Sequence, residues 1–167
     1  MFRIFVATGF AAACVISGGW KKWREYYPTI LYVIIGDLAY NFVFYRYDLW
    51  KYNGFINHTI SDLFNAFFLF PSVIILVLHK WPQGWLKASL ILLAWSSSLT
   101  MLEWISLGTG YFMYDHNWNI FHSFMVYFGA LVLIRVHYRH PLVVWPVSLA
   151  LAVAVLFFFQ LPFDAIK

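Results

Sequence analysis

From Leu142 to Leu161 the chain runs twenty residues without one charged side chain, and five further apolar runs of comparable length precede it. A helix needs ~20 apolar residues to cross the ~30 Å hydrocarbon layer, and in lipid only helices and closed barrels satisfy their own backbone. Barrel strands are short and alternate in polarity, whereas these runs are continuous. The sequence therefore predicts an all-α, polytopic transmembrane helix bundle, a single integral membrane domain over residues 1–167. Composition agrees: 63% of residues are hydrophobic and 11% charged, with a mean hydropathy of +0.72. An ordinary soluble domain carries roughly a quarter charged residues.

The predicted spans are residues 2–19, 28–45, 59–78, 86–107, 119–134 and 142–161. For the first, a cleaved signal peptide is the alternative, because Ser17-Gly18-Gly19 could end one; five spans would then remain. Its barely charged start, followed at once by Lys21, Lys22 and Arg24, favours a retained helix with the N-terminus outside. Six spans place Lys21, Lys22, Arg24, Lys80, Lys87, Arg135 and Arg139 on one side, and Arg3, Arg46, Lys51 and Lys167 on the other. Seven basic residues against four make the first side cytoplasmic and put both termini outside. Trp20, Trp23, Tyr26, Tyr27, Trp81 and Trp85 then mark one interface, and Trp50, Trp104, Tyr111, Tyr114 and Trp118 the other.

The formal charge of +4 comes from those short loop clusters, so nucleic acid is not an expected partner. Cys14 is the single cysteine and lies inside an apolar run, which excludes an intrachain disulfide and a thiolate metal cluster.

The polar residues inside the apolar runs fall on helical faces. His58, Asp62 and Asn65 are spaced i, i+4, i+7, and the run they open contains Pro71, which should kink the helix and free a carbonyl. Asp37 and Asn41 stand one turn apart in the second run. Ser96, Thr100 and Glu103 repeat the i, i+4, i+7 spacing in the fourth, and Asn119, His122 and Ser123 share a face in the fifth. A lone acid at the centre of a span costs about 2.5–3.5 kcal/mol, so acids on separate helices should face one another or water rather than lipid.

The expected pocket therefore opens outward and uses Asp37, Asn41, Asp62, Asn65, Glu103 and His122 to bind a proton or small ligand. On this reading the protein binds or transports a small solute or protons. An intramembrane enzyme, metal-assisted or not, is the alternative from another class, although no catalytic residue can be picked from spacing. A structural or sensory subunit of a membrane complex is the third. His58, Asp62, His116 and His122 are the weak metal candidates; HExxH is missing, and nothing names a cofactor. Expected partners are the bilayer, the solute or proton, and a second copy or membrane partner subunit.

Each polar group also has a structural explanation. Thr59-Ile-Ser-Asp62 fits a capping-box variant with Thr59 at the N-cap, and Asn119, His122 and Ser123 can satisfy the first turn of their helix. Ser96, Ser97, Ser98 and Thr100 suit helix packing, and Lys21, Lys22 and Arg24 suit interfacial anchoring. Asn57-His58-Thr59 also matches a glycosylation acceptor, which has meaning only in a secretory host.

At Gly36-Asp37-Leu38-Ala39-Tyr40-Asn41, Asn57-His58-Thr59 and Tyr114-Asp115-His116-Asn117-Trp118-Asn119, the chain resembles an uncharacterised small multi-pass membrane protein family of spore-forming bacilli and clostridia. The likeness covers about residues 26–141. It implies the bacterial cytoplasmic membrane and brings no activity with it. Tryptophan-rich sensory proteins share the size and tryptophan content but not the motifs.

Overall fold

The computed structural model describes residues 2–52 and 58–160. Their helices are α1 (Phe2–Ile16), α2 (Trp23–Val43), α3 (His58–Phe64), α4 (Phe70–His79), α5 (Trp85–Gly108), α6 (Ile120–Arg139) and α7 (Pro141–Phe158). Two short strands, β1 (Trp50–Tyr52) and β2 (Phe112–Tyr114), complete the described elements. The chain is a membrane-embedded helical protein. Thr59–His79, Trp85–Gly108, Ile120–Arg139 and Pro141–Phe158 are each long and apolar enough to cross a membrane. The segments Ile4–Ile16 and Gly19–Val43 pass the same test only as a pair, bent by 79°. Of the six spans expected from the sequence, four correspond to these unbroken helices and the first two to the bent pair.

The bend has a local cause. Gly18, at φ 74°, takes the left-handed conformation that glycine adopts without a Cβ clash. A 3₁₀ turn, Gly19–Lys22, then carries the chain into α2. Gly19 is pressed onto α4: a Cβ there would lie 2.9 Å from Ile75 Cγ2 and 3.2 Å from His79 Cγ. Only glycine allows this approach.

Three helix ends differ from expectation. α2 begins at Trp23 rather than near Pro28; the first four N–H groups of a helix have no helical acceptor, so Pro28 interrupts only the second turn. α6 continues through Arg139 rather than ending near residue 134, because charge alone does not stop a helix, and the Arg135 guanidinium rests on the Trp81 ring at 4.7 Å. α3 begins at His58, which puts Thr59 inside the helix instead of at its N-cap. The predicted turn at Asn53-Gly54 lies outside the described residues.

Where the sequence predicts a kink at Pro71, Thr59–His79 runs as one span with a local change of register. Between α3 and α4 the helix widens into a π turn, Asn65–Leu69, where the Phe70 N–H reaches back to the Asn65 carbonyl. Pro71 has no N–H to donate, and the wider register lies just before it; one residue on, the Ser72 hydroxyl donates to the Phe68 carbonyl at 3.0 Å.

α4 is the axis of the bundle. Val73, Ile74, Ile75, Val77 and Leu78 are buried in one cluster with Cys14 of α1, Tyr26, Ile30 and Ile34 of α2, and Leu131 and Ile134 of α6. α6 in turn packs against α2, α5 and α7. Because lipid is as apolar as leucine, side-chain hydrogen bonds help fix these pairings. The Cys14 thiol donates to the Ser72 carbonyl at 3.0 Å, and the hydroxyls of Tyr32 and Ser148 pair at 2.6 Å, joining α2 to α7.

The strand pair was not foreseen. β1 and β2 are antiparallel, with Trp50 opposite Tyr114, Lys51 opposite Met113 and Tyr52 opposite Phe112. Both connections emerge at one end of the bundle, where an aromatic stack continues them: Tyr40 lies flat on Trp50 at 4.5 Å, and Trp50 meets Trp118 at 4.8 Å. The turn after β2 places His116 and Asn117 at φ 50° and 62°, the hairpin-type geometry that asparagine tolerates. The Trp118 N–H donates to the Asp115 carbonyl across it.

Candidate functional site

The site grows from Glu103, on the last third of α5 facing α6 and β2. Glu103 is 8% exposed. Its Oε1 accepts a hydrogen bond from the Tyr114 hydroxyl at 2.5 Å, and its Oε2 accepts one from the Tyr127 hydroxyl of α6. A donor chain stands behind Tyr114. The Trp118 indole N–H, which can only donate, reaches Ser123 Oγ at 2.8 Å. Ser123 Oγ lies 3.4 Å from the Tyr114 hydroxyl. With Trp118 donating into it, the serine hydrogen is free to turn toward Tyr114, whose own hydrogen goes to Glu103. The Trp118–Ser123–Tyr114 contacts thus end on the Glu103 carboxylate. Burial and the bond to Glu103 hold the Tyr114 hydroxyl above the ordinary phenol range, so it stays a neutral donor. Among the described residues, no Lys, Arg or His makes an ion pair with Glu103.

A cleft of about 100 Å³ opens beside this carboxylate. Val6 and Phe10 of α1 and Leu99 and Leu102 of α5 make its apolar wall. Glu103 and Ser106 of α5, with Asn65 of the π turn, supply polar groups. Tyr52, Tyr111 and Phe112, from the strands and the loop before β2, close the end. The Asn65 amide donates to the Tyr52 hydroxyl at 3.1 Å. Two local devices aim these residues. The α5 terminus is a Schellman motif, with Gly110 at φ 69° and the Tyr111 N–H bonded to the Ser106 carbonyl at 3.1 Å, which turns Tyr111 back over the cleft. The strand pair carries Tyr52 from the opposite connection to meet it.

The sequence-derived residues divide between several places. Asn65 and Glu103 line the cleft. Asp62 is buried one turn before Asn65 and does not line the cleft. Asp37 and Asn41 do not line the cleft; the Asn41 amide donates to the Asp37 carbonyl of its own helix at 3.0 Å. His122 stands among the rings of Trp118, Phe158 and Phe159, with Nδ1 buried and lacking a hydrogen-bond partner. Asn119 is the N-cap of α6, its Oδ1 accepting from the Phe121 and His122 N–H groups at 3.0 and 3.2 Å.

For a metal, His116 is committed elsewhere: its ring lies 3.6 Å from that of Tyr47 and its Nδ1 pairs with the Asp48 carbonyl at 3.1 Å. The side chain of His58 lies outside the described residues. Among those described, no three His, Cys, Asp or Glu side chains come together as a metal site would require.

Sequence reading missed the tyrosines. Tyr111 and Tyr114 read as interface anchors, and Tyr127 was not singled out. One signal was available: Asn119, Ser123 and Tyr127 are spaced i, i+4, i+8 and continue the polar face of α6. A second polar cluster, at the opposite end, was missed altogether. His137 Nδ1 pairs with Thr29 Oγ1 at 3.0 Å while Tyr32 stacks on the imidazole at 4.4 Å. Thr29 and His137 are 1% and 4% exposed, so this pair locks α2 to α6 and offers no room for a ligand.

Set against known protein families, curated proteins and solved structures, the chain matches none.

Proposed function

We propose that this chain is a multi-pass protein of the bacterial cytoplasmic membrane whose Glu103 cleft binds or moves a small solute or protons. One observation carries the reading: a buried carboxylate, held by two tyrosine donors and given no cation by the described residues, forms part of the wall of a cleft. The two tyrosine donors offset most of the cost of holding such an anion inside a membrane domain, and a proton or a ligand at the cleft would neutralise its charge.

Contacts of α1 support six crossings with the N-terminus outside. Val6 and Phe10 share the cleft with Asn65 and Leu69, Cys14 meets Ser72, and Gly19 meets Ile75 and His79. α1 thus descends beside the α3–α4 helix, residue by residue, as a short inclined segment. Its 15 residues give ~22 Å at 1.5 Å per residue, most of the hydrocarbon thickness. The strand-pair end, which bears the mouth of the cleft, is then external.

Labelling tests the reading. In a Cys14→Ser background, Ser106→Cys should react with a membrane-impermeant thiol reagent added outside intact cells. Reaction only from the cytoplasmic side, or none after detergent extraction, overturns it.

A second reading, a subunit of a larger assembly, rests on α5. Ser97 and Ser98 are exposed on it, and Thr100 Oγ1 is buried without a hydrogen-bond partner; hydroxyls on such a face suit a neighbouring helix. A monomer in native lipid nanodiscs would remove it.

A further inference from the structure

We propose that the ligand of the Glu103 cleft is a small organic ammonium ion, recognised by one carboxylate and an aromatic wall. The inference rests on the binding function proposed above and adds the chemical class of the ligand.

Three observations lead to it. The first is charge. Glu103 is a buried carboxylate whose two oxygens accept from tyrosine hydroxyls, and no Lys, Arg or His among the described residues pairs with it. An anion so held inside a membrane domain attracts a cation and rejects an anion. The second is the lining. Tyr52 and Tyr111, with ring centroids 6.5 Å apart and planes 47° apart, face the cleft together with Phe112 and Phe10. Aromatic faces attract weakly hydrated cations and offer nothing comparable to a neutral polar solute. The third is what is missing for the inorganic alternatives. A divalent ion requires several oxygen ligands or a cluster of His, Cys and carboxylates, and no such cluster forms among the described residues. An apolar wall of Val6, Leu99 and Leu102 cannot replace the water shell of potassium or sodium, whereas it suits the methyl or methylene groups of an alkylammonium. At about 100 Å³ the cleft is well below the roughly 300–1,000 Å³ of a drug-sized site, which restricts the ligand to a few heavy atoms. Ser106 and Asn65, on the cleft lining, carry side-chain oxygens of the type that accepts the N–H groups of a primary ammonium.

The test is calorimetric titration of the full chain in lipid nanodiscs with methylammonium and tetramethylammonium chloride. Tert-butanol serves as the neutral analogue of similar shape, and potassium chloride as the inorganic control. Wild type should bind at least one ammonium saturably and neither control. Glu103→Gln should weaken binding by about tenfold or more, equivalent to roughly 1.4 kcal/mol. Because that variant also alters the tyrosine network, Tyr111→Leu provides a check outside it: helicity and melting should match wild type while ammonium affinity falls. Tert-butanol binding as tightly as the ammonium ions would overturn the cation assignment and leave the small-solute cleft standing. Unchanged ammonium affinity in both variants would place the binding elsewhere and overturn the proposal. Failure of every ammonium ion to bind wild type overturns it as well; the impermeant labelling of Ser106→Cys then shows separately whether the cleft reading survives.

Discussion

Removing the Tyr127 hydroxyl is the most direct perturbation of the structure described above. A carboxylate in the middle of a span costs about 2.5–3.5 kcal/mol relative to water, less toward the interface. A hydrogen bond to a charged group contributes about 1.5–3 kcal/mol, so the two tyrosine bonds together roughly offset that cost. Tyr127→Phe leaves Oε2 without its donor and keeps the ring, and it should destabilise the bundle by about 1.5–3 kcal/mol. Tyr114→Phe should cost less, because Tyr114 belongs to a short strand that can shift, whereas Tyr127 is fixed on α6. The pair should not be additive, because both hydroxyls donate to the same carboxylate. The assay is unfolding in mixed detergent micelles followed by tryptophan fluorescence, with Glu103→Gln as the third corner of each double-mutant cycle. Coupling between Tyr127→Phe and Glu103→Gln below about 0.5 kcal/mol, within the additivity error of independent sites, would refute the reasoning, since the hydroxyl would then stabilise the fold without reference to the carboxylate.

Other consequences are equally measurable. Gly19→Ala drives a methyl group to within 2.9 Å of Ile75 Cγ2 and should cost about 1–3 kcal/mol, the range for overpacking, while Gly9→Ala, with open space around it, should be neutral in the same micelle titration. Thr29→Val strands the His137 Nδ1 nitrogen in a buried position and should cost about 1–3 kcal/mol; Thr29→Ser should restore most of it. Asp115 behaves by pH. The His116 N–H and Lys51, 3.2 Å away, hold its carboxyl below the ordinary range, so its contribution is present above the unfolded value near pH ~3.9 and fades as pH falls through the lower folded value. Trp50 fluorescence during acid titration should show this loss of strand pairing, and Lys51→Met should shift it toward higher pH.

Much of this protein was legible without coordinates, and the reason is the solvent. Lipid forces each span to satisfy its own backbone, so a run such as residues 142–161 announces a helix by length and polarity alone. The Asn119 cap, the disruption at Pro71 and the aromatic belts at the two ends are likewise local, each set by residues within a turn or two. Periodicity also assigned faces correctly enough to bring Asp62, Asn65 and Glu103 to buried positions. What it lacks is the partner across the gap. A polar face says that something must meet it, and the identity of that something depends on helix crossing and on which loops fold back. Glu103 meets Tyr114 because α5 ends in a Schellman turn and β2 returns beneath it; it meets Tyr127 because α5 and α6 pack side by side. Tyr52 arrives from a connection about fifty residues earlier in the chain, through strand pairing with no strong sequence mark. Asp37, which by sequence looked equivalent to Glu103, does not line the cleft, since the azimuth of α2 against α4 and α6 was set by Ile30, Ile34 and the Thr29–His137 bond. Sequence alone thus determined that the chain lives in a membrane and where its helices run, because those follow from short-range backbone chemistry. Only the tertiary structure decided which acid came to line a cleft, because that depends on donors gathered from separate elements.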